Sequence, residues 1–348
     1  MTATEVTGQE LTERVLVEVG RLVRRGMLDA IPDGEPHTWL YRLVRAYPSR
    51  PGKAIRPSLC LATCRAFGGT DDDVLPVAVA IEMLHNAFLI HDDVADGSRL
   101  RRGRPTLVAE HGDALALNAG DALAVLANQV LRRHCRSLDD RLADRVYAEF
   151  DTMALRTLEG QATELGWRRD NVVDLAAEDY LDLIMHKTCW YTTIHPLRVG
   201  AVVGSRGGAD LRPMVRFGFH LGAAFQIRDD VLNLVGDEAV YGKERDGDLY
   251  EGKRTLMLIH LMGHVRGRDR TTVAAYLEAG REGRSEEMVA EIRHLMEVHG
   301  SIRFASDYGA GIASAALDAF DDAFSSVPPS SDTEFIRSLV PYMIGRDL

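Results

Sequence analysis

Two short clusters of acidic residues carry the chemistry that this sequence could perform. The first holds Asp92, Asp93 and Asp96 at the end of an apolar stretch, and several arginines follow it directly. On a helix, residues three and four positions apart lie on one face, so these carboxylates can converge. Converging carboxylates repel one another unless a cation lies between them, and Mg²⁺, which prefers oxygen ligands, fits best. A solvated helix end whose acids pair with the arginines explains this cluster equally well when it is taken alone.

A second cluster of the same kind strengthens the metal interpretation. Asp229, Asp230 and Asn233 end another long apolar stretch, and 137 residues separate Asp92 from Asp229. If the two helices face each other across a bundle, their oxygens can hold several Mg²⁺ ions and clamp one diphosphate between them. The hydrocarbon below the clamp would keep water away from a cation formed as the diphosphate leaves. The two clusters together predict metal-assisted ionisation of an allylic diphosphate.

Two basic residues near a predicted helix start give a weaker sign of phosphate. Lys53 and Arg56 lie where a loop opens a helix. Cations are unfavourable at a helix N-terminus unless an anion lies beside them. Two solvated basic residues remain the alternative explanation.

Long helices must position all of these residues. Apolar residues recur three and four apart over most of the chain, and no alternating strand pattern of useful length is present. Pro196 falls inside one helical pattern and should kink it. The sequence therefore predicts an all-α bundle around an apolar cavity, as one domain spanning residues 1–348. The expected helices cover 9–30, 38–46, a stretch ending near 67, 74–90, 113–134, 141–164, 176–203, 211–234, 254–265, 269–279, 285–299, 301–324 and 333–344.

Composition limits the class of protein. The 348 residues carry a formal charge of -11, which argues against a nucleic-acid partner because phosphate-backbone binding needs a basic face. The four cysteines show no metal-site spacing, and Cys60 and Cys64 fit the apolar face of one helix. The N-terminus has no signal-peptide pattern, and no uninterrupted apolar run approaches membrane-spanning length. We expect a cytoplasmic protein without stable membrane insertion.

Several motifs in order resemble the trans-isoprenyl diphosphate synthase (polyprenyl synthetase) family, from about Gly52 to Thr255. The resemblance implies the isoprenoid synthase type I fold, a homodimer, and head-to-tail condensation of isopentenyl diphosphate with an allylic diphosphate. Mg²⁺ would be the cofactor, with three ions when diphosphate is bound and Mn²⁺ as a substitute, and the departing pyrophosphate would take the final proton. The matching motifs are Gly52–Pro57, His85–Asp96, Leu100–Gly103, Asn118–Asp121, Glu159–Gln161, Lys187–Thr188, Phe225–Asn233, Gly242–Lys243 and Asp248–Thr255.

The resemblance also assigns roles to individual residues. Arg101, Lys187 and Lys253 would hold the allylic diphosphate, while Thr188 and Gln226 would line the wall near the developing cation. Asn233 stands where many family members have Asp, so a ligand there would be weaker or indirect. The implied metal ligands are Asp92, Asp93, Asp96, Asp229, Asp230 and Asn233. The implied catalytic residues are Asp92, Asp93, Asp96, Lys187, Thr188, Gln226, Asp229 and Asp230. The implied substrate-binding residues are Gly52, Lys53, Arg56, His85, Arg101, Arg102, Lys187, Gln226, Lys243 and Lys253.

The turns that precede Asp92 predict the product length. Each helical turn back lies about 5.4 Å deeper, so a bulky side chain there would stop a growing isoprenoid tail. In the family, the fourth and fifth positions before the first motif commonly form that floor, and here they are Phe88 and Ala87. Leu84 and Ile81 lie deeper. We expect a C20 product, geranylgeranyl diphosphate, with C15 farnesyl diphosphate as the alternative; ordinary core packing is the other explanation for Phe88.

Two other functional classes share some of these features. A class I terpene cyclase pairs an acidic motif with an apolar pocket, but its second metal site is typically an Asn/Ser/Glu triad rather than Asp229-Asp230. A non-catalytic partner subunit usually loses one acidic motif, and this chain keeps both. The His91-Asp92 pair is also found in metal phosphohydrolases, but the second histidine pattern of that class is missing. The sequence names neither the downstream pathway nor the preferred allylic starter.

Overall fold

The computed structural model of the protein describes residues 8–236 and 246–345, and helices make up nearly all of its regular structure. The first half contains α1 (Gly8–Ala30), the π-helical segment π1 (His37–Tyr41), α2 (Arg42–Ala46), α3 (Ile55–Ala66), α4 (Asp71–Asp96), α5 (Leu107–His111), α6 (Asp113–Cys135) and α7 (Asp140–Arg169). The second half contains α8 (Ala177–Ile184), the π-helical segment π2 (Met185–Ile194), α9 (His195–Gly204), α10 (Arg212–Val235), α11 (Gly247–Glu251), α12 (Leu256–His264), α13 (Gly267–Glu278), α14 (Gly280–Gly283), α15 (Glu286–Val298), α16 (Ser301–Ala323) and α17 (Ser331–Ile344). The prediction of an all-α fold is confirmed.

The central helix α4 begins with a capping box. The backbone N–H of Thr70 donates to the carboxylate of Asp73 at 2.8 Å, which satisfies a donor that the first turn would otherwise leave open. The helix continues past the apolar stretch that ends at Ile90 and stops at Asp96, where Gly97 takes a left-handed conformation with φ of 59°. The first acidic cluster therefore belongs to the last turns of α4 itself.

A small hairpin follows α4 and is the only sheet within the described ranges. Strands β1 (Leu100–Arg101) and β2 (Arg104–Pro105) pair antiparallel. Arg102 and Gly103 form the turn with φ of 55° and 68°, the positive values that a tight two-residue hairpin requires. The sequence analysis did not predict these strands, because two residues are too few to show alternation. The hairpin fixes the positions of Arg101 and Arg102 beside the end of α4.

The predicted helix over 176–203 is interrupted by π2. The structure divides it into α8, π2 and α9, and Pro196 lies in the first turn of α9 rather than in the middle of a kinked helix. Pro is tolerated in a first turn because its missing N–H is not needed there. The wide turns of π2 carry Lys187 and Thr188. A π-helical segment of this kind is often found at a functional site.

Three clusters of buried apolar side chains hold the helices together. One surrounds α4 and α6, one joins α10 to α12 and α15, and one packs α3 against α16 and α17. By length and hydropathy alone, α4 and α6 could each cross a membrane, which differs from the expectation of no such stretch. In this fold α4 is largely buried by its neighbours, whereas α6 keeps much of one face exposed.

Candidate active site

A cavity of 740 Å³ opens among α4, π2, α10 and the loop before α3. Asp92 and Asp96 reach it from the end of α4, and Asp229 and Asp230 reach it from α10. The structure thus brings residues from the two acidic clusters to one cavity. Of the residues predicted to act on metal or substrate, the wall includes Gly52, Lys53, Arg56, His85, Asp92, Asp96, Arg101, Arg102, Lys187, Thr188, Gln226, Asp229, Asp230 and Lys253.

Asp93 is not among the cavity-lining residues. Its carboxylate accepts hydrogen bonds from the hydroxyl of Tyr47 and from the guanidinium of Arg101, whose Nε lies 2.9 Å from Oδ1. Both carboxylate oxygens are therefore occupied by protein donors. In this structure Asp93 anchors the hairpin arginine to α4, and its predicted role as a metal ligand stays a prediction.

Asp96 is held by two cations from distant parts of the chain. Arg168 at the end of α7 places Nη1 2.6 Å from Oδ1, and the Nζ of Lys253 lies 3.4 Å from Oδ2. Burial would raise the pKa of this carboxyl, but the charges of Lys253, Lys187 and Arg168 hold it well below its ordinary value. Asp96 is therefore ionised and available to a cation throughout the neutral range.

Asp92, one turn earlier, has a different environment. Burial raises its pKa, with Lys187 opposing and the negative charge of Asp96 adding to the effect. The two carboxylates share the same edge of the cavity. A divalent cation placed between them would relieve the repulsion that raises the pKa of Asp92.

On α10, Asp230 is fixed by hydrogen bonds within the protein. The hydroxyl of Tyr180 donates to Oδ2 at 2.8 Å, and the amide of Gln226 donates to Oδ1 at 2.7 Å. The hydroxyl of Thr188 in turn donates to Oε1 of Gln226 at 3.0 Å. Burial and the nearby charge of Asp248 raise the pKa of Asp230 to about 8. Asp230 and the wall residue Thr188 are thus linked through one amide.

Asn233 is turned into the protein. It is buried, and its Oδ1 accepts the backbone N–H of Asp248 at 3.0 Å. It is not part of the cavity wall, so it positions α11 in this structure, and its predicted role as a ligand stays a prediction. Asp248 itself lines the cavity and pairs with Lys253 at 3.2 Å.

The two lysines of the cavity each have acidic partners. Lys187 lies 2.5 Å from Oε1 of Glu164 on α7, and Lys253 lies 2.5 Å from Oε2 of Glu251. Burial raises the pKa of Glu251 to about 7, although Lys253 opposes that rise. Both ammonium groups remain charged, since the pKa of each is raised above its ordinary value by these acids despite burial. They can therefore neutralise a diphosphate.

Several basic side chains also line the cavity. Arg56 donates to the hydroxyl of Thr192 at 2.9 Å and stacks on the ring of Tyr191 at 4.3 Å. The guanidinium of Arg102 lies so close to Gly52 that any side chain there would collide with it. These contacts pack Arg102 against the Gly52 loop and fix the guanidinium of Arg56. Together with Lys53 they bring three cationic side chains to the cavity, a set that suits an anion.

His85 and Glu82 lie beneath these arginines. Burial and the charges of Arg56 and Arg102 hold the pKa of His85 well below its ordinary value, so the imidazole is neutral. Burial raises the pKa of Glu82, and the two arginines oppose that rise. Glu82 is therefore an acidic group placed next to the positive charges of Arg56 and Arg102.

The carboxylates suit a metal that keeps other ligands. Within residues 8–236 and 246–345, no three His, Cys, Asp or Glu side chains form a complete metal cage. Mg²⁺ commonly binds through one or two carboxylates, with water and substrate phosphates as its remaining ligands. The pairs Asp92/Asp96 and Asp229/Asp230 on one cavity fit that behaviour, because each supplies oxygen ligands without enclosing the ion.

The residues predicted to set chain length lie around the cavity wall rather than on it. Phe88 packs edge-on against Tyr191 with ring centroids 5.9 Å apart, and Tyr191 lines the cavity. Leu89, the next residue, reaches the wall itself. Ile81, Leu84 and Ala87 are buried in the core around α6. The chain-length role of these residues stays a prediction, and Lys243 lies outside the described residues.

Several residues of the site were missed in the sequence analysis. Tyr47, Glu164, Arg168 and Tyr180 each touch a predicted site residue through a side chain. Their signal is weak because each partner is distant in the sequence. Only Glu164 had a local sign, since it follows the Glu159–Gln161 motif on the same helix.

The sequence of this chain is similar to those of known proteins. The family described as polyprenyl synthetase matches residues 37–296. A short chain isoprenyl diphosphate synthase of Methanothermobacter thermautotrophicus is 31% identical over 291 residues, which cover 84% of this chain and 86% of that protein. A (2E,6E)-farnesyl diphosphate synthase of Mycobacterium tuberculosis is 35% identical over 257 residues, covering 73% of this chain and 69% of that one.

Solved structures agree with the sequence comparison. The geranylgeranyl pyrophosphate synthase of Corynebacterium glutamicum, crystallised with isoprenyl diphosphate and magnesium, superimposes with a TM-score of 0.85 at 25% identity. The superposition covers 96% of this chain and 99% of that one. The similarity therefore extends over almost the whole fold.

Proposed function

The chain belongs to the polyprenyl synthetase family and is a prenyltransferase, and we propose that it joins isopentenyl diphosphate to an allylic diphosphate with release of pyrophosphate. The observation that carries this proposal is one cavity lined by two unlike sets of side chains. Carboxylates from α4 and α10 line it together with the guanidinium groups of Arg56 and Arg102. Such a cavity suits two diphosphates, one held through metal ions and one held by arginines.

We propose the following division of work among the residues. Asp92, Asp96, Asp229 and Asp230 hold Mg²⁺, with Asp93 and Asn233 supporting them, and Mg²⁺ when bound neutralises the charge of the leaving diphosphate. Lys187, Lys253 and Arg101 contact the oxygens of the allylic diphosphate. Gly52, Lys53, Arg56, His85 and Arg102 hold isopentenyl diphosphate. The neutral His85 is expected to donate or accept a hydrogen bond without adding charge.

The remaining wall residues contact the hydrocarbon part of the allylic substrate. Thr188 and Gln226 present fixed polar atoms near the carbon from which the diphosphate leaves. Tyr191, Leu89 and Phe225 make the neighbouring wall apolar. An apolar wall keeps water from a carbocation, so the double bond of isopentenyl diphosphate is the nucleophile at hand. The departing pyrophosphate takes the final proton.

We propose geranylgeranyl diphosphate (C20) as the principal product, with farnesyl diphosphate (C15) as the alternative. The relatives include synthases named for short-chain, C15 and C20 products, so the names leave both open. Phe88 supports a short product because its ring lies against Tyr191 on the wall. Dimethylallyl, geranyl and farnesyl diphosphates are the candidate allylic starters.

The product assay tests the proposed reaction. The purified chain is incubated with Mg²⁺, isopentenyl diphosphate and each of the C5, C10 and C15 starters, and the products are identified by mass spectrometry. We expect a C20 diphosphate and one pyrophosphate for each condensation. Dominant products of C40 or longer would contradict the chain-length proposal. A cyclic product formed without isopentenyl diphosphate would favour a terpene cyclase, and no pyrophosphate at all would favour a non-catalytic partner subunit.

The substitution Phe88→Ala tests the chain-length ruler. If the ring of Phe88 supports the floor through Tyr191, its removal should lengthen the main product by at least one C5 unit. Leu89→Ala is the matched comparison, because Leu89 reaches the present cavity directly. Longer products from Leu89→Ala alone would place the floor at Leu89 and contradict the role of Phe88.

We also propose the oligomeric state and the cellular location of the enzyme. A homodimer is supported by the exposed apolar faces of α6 and α7, which include Leu117, Val125, Leu155 and Leu158. Single-domain subunits and a cytoplasmic setting belong to the same proposal. The charge of -11 supports a small-molecule enzyme without a nucleic-acid partner. Three Mg²⁺ ions with diphosphate bound, and Mn²⁺ as a substitute, belong to the same proposal.

A further inference from the structure

Helix α7 places two oppositely charged residues one turn apart at the metal side of the cavity. Glu164 pairs with Lys187 at 2.5 Å, and Arg168 pairs with Asp96 at 2.6 Å. The four side chains are mostly buried, with 19% of Lys187, 10% of Glu164, 17% of Arg168 and 6% of Asp96 exposed. Two residues that the proposed function assigns to ligand binding, Asp96 and Lys187, are thus each paired with a residue of α7.

Both pairs must weaken when ligands arrive. A metal ion on Asp96 brings two positive charges next to the guanidinium of Arg168, and like charges at this distance repel strongly in a buried site. A diphosphate on Lys187 competes with Glu164 for the ammonium donors. Ligand binding therefore weakens the ion pairs of Glu164 and of Arg168 at the same time.

Glu164 and Arg168 are suited to pair with each other. They are separated by four positions on α7, with the acid on the N-terminal side, and this is the favourable order for an ion pair on a helix. The negative charge of Glu164 already helps to raise the pKa of Arg168. A change of rotamer would bring the two side chains together without movement of the helix backbone.

We propose that Arg168 is a positioning residue that neutralises Asp96 until metal binds and then transfers to Glu164. The inference rests on the proposed function, because it assumes that Asp96 binds Mg²⁺. Arg168 acts as a competitor of the metal ion, and Glu164 receives the released guanidinium. The exchange keeps the buried charges balanced in both states. The exchange also makes Mg²⁺ alone a weak ligand. Without diphosphate, Glu164 still pairs with Lys187, so the ion must displace Arg168 before Glu164 is free to receive it.

Binding of Mg²⁺ alone to the full-length protein tests this proposal by calorimetry. Arg168→Gln removes the competing charge, so we expect a lower Kd for Mg²⁺, by about 3-fold to 100-fold, the range typical of coupled neighbouring charges. Arg169→Gln is the matched control, since Arg169 is adjacent in sequence but is exposed and pairs with Asp170. Its Kd for Mg²⁺ should equal that of the wild type. A Kd that is unchanged or higher in Arg168→Gln would overturn the proposal.

A second measurement uses the wild-type protein and needs no variant to fold. In a crystal structure with Mg²⁺ and inorganic pyrophosphate, we expect Arg168 to have left Asp96 and to lie within hydrogen-bonding distance of Glu164. An Arg168–Asp96 contact that persists beside a bound metal ion would overturn the proposal. Failure of the proposed function is distinct, because the wild type would then yield no prenyl product in the assay described above.

Discussion

The adjacent aspartates at the end of α4 point in different directions. Successive residues are rotated by about 100°, whereas residues four apart differ by only about 40°. Asp92 and Asp96 accordingly share the cavity edge, while Asp93 turns to Tyr47 and Arg101. The spacing alone did not predict this division, because Asp93 and Asp96 are three positions apart and can also share a face. The identity of the partner of Asp93 could not be predicted, because Tyr47 lies 46 residues earlier.

A single buried histidine, His195, gives a prediction about how stability depends on pH. His195 at the start of α9 is fully buried, and burial together with the charge of Arg198 lowers its pKa from 6.5 to about 3. The folded state therefore resists a proton that the unfolded chain accepts below pH 6.5. Stability from the neutral ring is complete above that pH and is lost as the pH falls from 6.5 towards 3.

Unfolding measurements at two pH values check this expectation. Between pH 7.5 and pH 5.0, the wild type should lose about 2 kcal/mol more unfolding free energy than His195→Leu, which has no proton to bind. His37→Asn, a change at an exposed histidine, should keep the pH dependence of the wild type. Equal pH slopes for the wild type and His195→Leu would contradict the assignment to His195.

At the scale of elements, π2 depends on its close contact with α7. A Cβ atom on Gly160 would collide with the backbone of His186 and Lys187, so only glycine lets the two elements approach this closely. The same helix α7 then carries Glu164 one turn later to Lys187. Gly160 and Glu164 therefore fix the same part of π2.

Two glycine substitutions on α7 separate packing from helix propensity. Gly160→Ala should lower the unfolding free energy by about 1–3 kcal/mol, because backbone must move, and should lower kcat because Lys187 and Thr188 move with it. Gly166→Ala is the matched control, since no atom outside the helix lies within 4 Å of its Cβ position. It should gain up to about 1 kcal/mol from helix propensity. Chemical denaturation and steady-state rates measure both effects, and a stabilised, fully active Gly160→Ala would disprove the contact.

For the whole molecule, the exposed apolar residues of α6 and α7 give a prediction about assembly. Val125 is 57% exposed and Leu158 is 53% exposed, an unusual state for apolar side chains on neighbouring helices. If a second copy covers them, light scattering should give about twice the 38.5 kDa of one chain. The double variant Val125→Asp/Leu158→Asp should then have the mass of one chain.

Val298→Asp serves as the control for that experiment. Val298 is 63% exposed on α15, far along the chain from the proposed interface. This variant should keep the mass of the wild type. A monomeric wild type, or a double variant that stays dimeric, would contradict the proposed interface.

The sequence could predict the helical architecture and the two acidic clusters because both depend on local spacing. Helical periodicity located α4 and α10, and their ends carried Asp92 and Asp229 to one cavity. The sequence could not predict π2, because its 10 residues are too few to distinguish the wider period of a π-helical segment from that of an α-helix. It also placed the end of α7 at Glu164, before Gly166, whereas the helix continues and brings Arg168 to Asp96. Pairings of this kind depend on tertiary packing.

The position of α17 at the end of the chain determines when the cavity can close during synthesis. Tyr342 of α17 lines the cavity, 250 residues after Asp92. At about 5–20 residues per second, a ribosome needs about 10–50 seconds to make the intervening chain. Throughout that interval the acidic residues of α4 exist without a closed cavity. A chain released before α17 would keep the acidic residues of the cavity and still lack Tyr342 of its wall.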